Sequence, residues 1–134
     1  MEHTLLVATA GRRVVHYDIR NMNSPIEDRA TALKFGTASL ACIPTGEGKK
    51  YSIYTLSTIS EFSAFVVGYA TGSVEGRVSI EYFDKSPQVQ KEKYAFKCHR
   101  QTIPEGDLVF PVNALAFHPK SECFIYRDTL SNNR

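Results

Sequence analysis

The sequence predicts an all-β fold, and three observations predict it. Apolar runs are short, most of them four to seven residues, and several alternate with period two. Glycine and proline separate the runs at close intervals. The best helical candidate, residues 89–96 (VQKEKYAF), is too short to stand alone.

The elements follow in order. Residues 5–9 form an apolar run that Gly11 breaks, and residues 14–17 resume it until Asp18 closes the strand. Residues 20–25 (RNMNSP) are turn-rich. Residues 37–43 make another apolar run, ended by a turn over 44–48. Residues 49–65, rich in Ser, Thr, Tyr and Ile, read either as a strand pair or as a disordered insertion. Residues 66–69 precede Gly72. Residues 77–83 alternate cleanly, with Val78, Ile80 and Tyr82 on one face and Arg77, Ser79, Glu81 and Phe83 on the other. Residues 84–93 are a polar loop carrying Pro87. Residues 94–99 alternate again, and 112–117 form the last clear strand, stopped by Pro119. Residues 121–134 look frayed. A sandwich and a propeller both fit this pattern.

A chain of 134 residues is one domain by length. Its net charge of +2 is not the basic excess of a polyanion binder and by itself argues nothing; no direct nucleic-acid binding is expected. Cys42, Cys98 and Cys123 are an odd, widely spaced set, which reads as reduced intracellular thiols. The first ten residues lack the basic leader and long apolar core of a signal peptide. No run approaches the ~20 apolar residues of a membrane helix. The expectation is a soluble intracellular protein without a membrane partner.

The chemistry-bearing residues offer little catalysis. The four histidines and three cysteines lack close metal-ligand spacing, so neither a metal nor another cofactor is expected. There is no Gly-x-Ser-x-Gly elbow, and Gly72-Ser73-Val74-Glu75-Gly76 reads as a β-turn. Cys98 beside His99 is a weak match to a Cys–His pair; on a strand the two point to opposite faces. Glu75, Glu81 and Asp84 read as partners for nearby cations, of little weight if exposed. Arg77 and Lys97 are different. Antiparallel pairing of 77–83 with 94–99 sets both cations at the end away from the connecting loop. An Arg fork and a Lys point charge together suit a carboxylate or phosphate.

Several stretches together resemble one family. Ala10-Gly11-Arg12-Arg13-Val14-Val15-His16-Tyr17-Asp18 resembles a WD repeat, with Tyr17-Asp18 in place of Trp-Asp. Glu75-Gly76-Arg77-Val78-Ser79-Ile80-Glu81-Tyr82, Lys93-Tyr94-Ala95-Phe96-Lys97-Cys98-His99-Arg100 and Phe110-Pro111-Val112-Asn113-Ala114-Leu115-Ala116-Phe117-His118-Pro119 resemble the Bub-type mitotic-checkpoint propeller. The Rae-type mRNA-export propeller shares part of this pattern. Glu81-Tyr82, Ser86-Pro87-x-Val89-Gln90 and Tyr94-Ala95 favour the checkpoint member.

The resemblance implies a partial WD-repeat β-propeller over 1–134, about three blades of a seven-bladed fold at roughly 40–45 residues each. It implies a non-catalytic scaffold of the spindle assembly checkpoint, in the nucleus and at the kinetochore, with cytoplasm as a further location. The implied partners are checkpoint kinases and a kinetochore scaffold phosphorylated in Met-Glu-Leu-Thr repeats. Arg77 and Lys97 match the basic positions of phosphothreonine recognition. The alternatives are an export-type propeller at the nuclear pore and a small β-domain enzyme using Cys98.

This chain departs from the family at three places. Residues 49–66 intervene where the family runs almost directly on, and read as an aberrant insertion of translated non-coding sequence. Residues 121–134 read as a divergent tail. Ala38 stands after Lys34-Phe35-Gly36-Thr37, where the family usually carries an Arg used in kinase-motif binding. A partial ring exposes blade faces and edge strands, so the chain alone is expected to be marginal or aggregation-prone.

Overall fold

The computed structural model describes residues 3–55, 58–118 and 124–127, and the side chains of 4–44, 67–118 and 125–127. Strands dominate, as the period-two pattern requires.

Strands β1 (His3–Ala8), β2 (Arg13–Asp18) and β3 (Glu27–Ala30) form an antiparallel meander. The first turn closes where the Thr9 carbonyl accepts from the Arg12 amide at 3.1 Å. Its left-handed residue is Arg12, at φ 63°, rather than the neighbouring glycine. β3 (EDRA) has almost no apolar character, and the sequence pattern did not announce it. It is an outer strand, tied to β2 by Arg13 Nε to Asp28 Oδ1 at 2.6 Å.

A second layer follows: β4 (Thr37–Thr55), β5 (Thr58–Ser73), β6 (Arg77–Tyr82) and β7 (Tyr94–Lys97), each antiparallel to the next. The turn expected over 44–48 is instead a bulge inside β4. Thr45 and Lys50 both stand opposite Phe65, and pairing resumes beyond them. Residues 49–65 are therefore the strand pair of the two readings, apart from 56 and 57, which lie outside the described residues. The far part of β4 also runs parallel to β1, with His3 opposite Ser52 and Leu6 opposite Thr55. That contact joins both layers in one sheet ordered β3-β2-β1-β4-β5-β6-β7.

The polar loop before β7 contains one helical turn, α1 (Pro87–Lys91), opened by Pro87 in the first turn. It ends before residues 92–96 of the helix candidate, because Tyr94 onward pairs with β6. β8 (Arg100–Ile103) and β9 (Gly106–Val109) make a hairpin of their own, which the sequence reading missed. β10 (Ala114–Phe117) pairs with β11 (Phe124–Arg127). Of the tail at 121–134, only 124–127 fall within the described residues, and they are this last strand.

Two apolar clusters hold the layers together. Leu6, Val14, Leu40 and Tyr69 pack between the first layer and the second. Ala70, Val78, Ile80 and Val112 form the other, with Leu115 and Phe117 of β10 packed against it. Burying each large aliphatic or aromatic side chain here stabilises by about 1.5–3 kcal/mol. Opposite residues of an antiparallel pair share a face. Cys42, Tyr69 and Glu81 therefore line one face of the second layer, and Ala41, Ala70 and Ile80 the other. Ser79 and Glu81, on the polar face of the alternation, are as buried as Val78 and Ile80. The described part of the second layer is thus covered on both sides.

Candidate anion-binding site

The site is built at the β5–β6 turn and the end of β7. Ser73, fully buried, accepts from the amides of Glu75 (3.3 Å) and Arg77 (3.2 Å) through its hydroxyl. Gly76 sits at φ +68°, and its carbonyl accepts from the Cys98 amide at 2.8 Å. A Cβ at Gly76 would lie 2.5 Å from the Cys98 carbonyl and 2.9 Å from that of Phe110. Only glycine fits this crossing of three chain segments.

The turn delivers Arg77 to the first position of β6, directly opposite Lys97 at the last position of β7. The two cations share a face, at the end away from the loop, where the hairpin argument set them. Like charges directly opposite one another destabilise a sheet. Lys97 is exposed and has no ion pair among the described residues. Arg77 is partly covered. Its Nε lies 3.2 Å from Glu75 Oε1, within ion-pair reach but without hydrogen-bond alignment. Arg100, on β8, brings Nη2 to 3.3 Å from the Glu75 carbonyl and 4.0 Å from its Oε2; its Nη1 is 3.7 Å from Asp107 Oδ2. Sequence reasoning placed Glu75 only as a generic counter-charge and gave Arg100 no role. The signal available was a Glu-Gly turn immediately before the strand that carries the first cation.

The remaining candidates are structural. Glu81 is the cation partner the sequence suggested, but at 3% exposed it is buried and so carries weight. Its Oε2 accepts from the Tyr69 hydroxyl (3.2 Å) and its Oε1 from the Ala32 amide (3.3 Å), with Arg29 Nη1 3.9 Å away. Arg29 also pairs with Glu27 at 2.9 Å, and Lys85 lies 3.3 Å from the same carboxylate. Burial alone would raise Glu27, but Arg29 and Lys85 hold its carboxyl below the usual range. This network ties β3 of the first layer to β6 of the second.

Cys98 and His99 do not stand on one strand. β7 ends at Lys97, and His99 takes a left-handed φ of 49° as the chain turns into β8. Cys98 packs against the second cluster, and the His99 ring stands edge-on to Tyr126 at 4.9 Å. Burial pushes the Cys42 thiol up to about 12. Asp84 caps the loop before α1, accepting from the Ser86 amide at 2.8 Å. Residues 34–38 lie beside the site's turn, the Gly36 carbonyl accepting from the Val74 amide at 3.1 Å, with Phe35 half exposed. Cys123 lies outside the described residues. Among the described residues no group of three His, Cys, Asp or Glu side chains is placed to hold a metal, and no helix is long and apolar enough to cross a membrane.

No model of a known protein family matches the chain. It is 45% identical over 117 residues to mitotic checkpoint protein BUB3.1 of Arabidopsis thaliana, covering 87% of this chain and 28% of that protein. It is 40% identical over 126 residues to mitotic checkpoint protein bub-3 of Caenorhabditis elegans, covering 92% and 31%. It is 33% identical over 123 residues to a poly(A)+ RNA export protein of Schizosaccharomyces pombe, covering 91% and 29%. The chain thus spans less than a third of the length of each. With these relatives, the antiparallel layers are those of a partial β-propeller of the WD-repeat class. Within that class, the chain belongs to the Bub-type family of mitotic checkpoint proteins, as a piece of that propeller.

Proposed function

We propose that the β6–β7 hairpin is the phosphopeptide-binding element of a non-catalytic checkpoint scaffold, with Arg77 and Lys97 as the phosphate ligands. The observation that carries this reading is the placement of the two cations as direct cross-strand partners. Such a pair costs stability unless an anion meets it, and a phosphothreonine brings nearly two negative charges and three acceptor oxygens. The partners in this reading are a kinetochore scaffold phosphorylated in Met-Glu-Leu-Thr repeats and the checkpoint kinases, met in the nucleus and at kinetochores. Ala38 removes the family's usual Arg from the segment beside the turn, so kinase-motif binding is weakened in this chain. Residues 49–66 belong to translated non-coding sequence and 121–134 to a divergent tail. Mature message lacking codons 49–66 supports that assignment, and abundant message retaining them overturns it.

The test of the hairpin is titration with a Thr-phosphorylated Met-Glu-Leu-Thr peptide beside its unphosphorylated twin. The phosphopeptide binds and the twin does not. Arg77→Ala and Lys97→Ala each weaken phosphopeptide binding about tenfold or more, the loss expected for a charge-assisted hydrogen bond. Equal binding of both peptides by a folded chain contradicts the assignment.

A further inference from the structure

Glu75 stands 3.2 Å from Arg77, the cross-strand partner of Lys97, although a carboxylate there opposes anion binding. We propose that Glu75 is the residue that makes this site selective for a dianionic phosphate over a monoanionic carboxylate. The proposal rests on the reading of Arg77 and Lys97 as phosphate ligands. Arg77 and Lys97 supply two positive charges, and Glu75 removes one. Arg100, which also leans on Glu75, is offset by Asp107 at 3.7 Å. A carboxylate ligand therefore offers Arg77 nothing that Glu75 does not already give. A phosphate offers more charge and more acceptor oxygens than Glu75 gives up.

The geometry suits such an exchange. Glu75 holds Arg77 by charge without an aligned hydrogen bond, so the contact is loose. It approaches the guanidinium at Nε, 3.2 Å away. The Nε of Arg100 is likewise buried without a hydrogen-bond partner among the described residues. The Glu75 side chain is only 15% exposed, so solvent screens its charge less than that of a free surface carboxylate. Its backbone is fixed independently through Ser73, so a side-chain change at 75 leaves the turn in place.

The experiment uses the whole chain and three versions of the peptide titrated above, carrying phosphothreonine, aspartate or sulfothreonine at the same position. Sulfothreonine matches the shape of phosphothreonine but is monoanionic. The unaltered chain binds the phosphopeptide well above both monoanionic forms. Glu75→Gln raises binding of the aspartate peptide and shrinks the phosphate-to-aspartate ratio by about threefold to fivefold, the worth of one partly screened charge. Glu75→Asp keeps the ratio. An unchanged ratio in Glu75→Gln overturns the proposal while the phosphate site stands, provided Arg77→Ala and Lys97→Ala still weaken phosphopeptide binding. Equal affinity of the unaltered chain for phosphothreonine and sulfothreonine overturns it without any variant. Insensitivity of the phosphopeptide to Arg77→Ala and Lys97→Ala overturns the site and the selectivity together.

Discussion

Glu81 shows how far a single side chain departs from what its neighbours in sequence suggest. Its place in an alternating strand marks it as outward-facing, yet outward here means toward the next layer. The carboxylate accepts from Tyr69 and Ala32 and sits against Arg29. Removing one member of a buried charged set strands the others. Glu81→Ala is expected to cost about 3–5 kcal/mol, read from denaturant midpoints. Three more residues set the pH range of stability. Cys42, ordinarily near 9.0, is pushed to about 12 by burial. Tyr69 rises too, through burial first and then Glu81. An unfolded thiol ionises above pH 9 while the folded one keeps its proton. Stability is therefore complete below pH 9 and falls as pH rises toward 12. Cys42→Ala flattens the onset of that fall, between pH 9 and 10. On the acid side, burial lowers His16, with Arg29 and Lys85 adding to it against Glu27. The unfolded imidazole protonates near 6.5 and the folded one resists, so stability also declines as pH drops below that value. Midpoints measured from pH 5 to 10 check both slopes.

The strands that were legible are those where burial imposes a rhythm. β2, β6, β7 and β10 each carry apolar side chains and end near a breaker or a turn. β3 and the β8–β9 hairpin were not legible, because outer, exposed strands (EDRA, RQTI, GDLV) need no apolar pattern to pair. The second buried face of β6 was hidden for a related reason. Its polar residues satisfy one another across strands, as Thr71 and Ser79 do at 2.9 Å, and so tolerate burial. Within the site, the juxtaposition of Arg77 and Lys97 was legible in the hairpin pairing, and their reading as phosphate ligands came from the family resemblance. The approach of Glu75 and Arg100 was not legible, because it depends on a left-handed glycine and a chain crossing that no periodicity encodes. Gly76→Ala tests that crossing. A left-handed alanine costs about 1–2 kcal/mol before any clash, and two backbone carbonyls block the added Cβ. The expected result is a loss of at least about 2 kcal/mol together with weakened phosphopeptide binding. A variant as stable as the parent contradicts the turn's role.

Over the whole molecule, a partial ring leaves surfaces that a closed one hides. β3 and β7 are the ends of the large sheet. Tyr94, Leu108 and Ile125 are exposed large apolar side chains, Ile125 at 76%. Open edges beside apolar surface template association, so light scattering should rise with concentration and fall when a strongly solubilising partner is fused. Where the first layer meets the second, residues 52–55 of β4 cover one side of β1. That contact is made by the segment absent from the family pattern, and the sequence offered no means of foreseeing it.

The proposed phosphate site takes its two cations, Arg77 and Lys97, from different strands. A double-mutant cycle tests it most directly. Phosphopeptide affinity is measured for the parent, Arg77→Ala, Lys97→Ala and the double variant, with circular dichroism confirming the fold of each. In the proposed site both side chains meet the same phosphate, so the double variant is expected to lose clearly less than the sum of the single losses. Additive losses, or a single variant that binds like the parent, mean that Arg77 and Lys97 do not form one site.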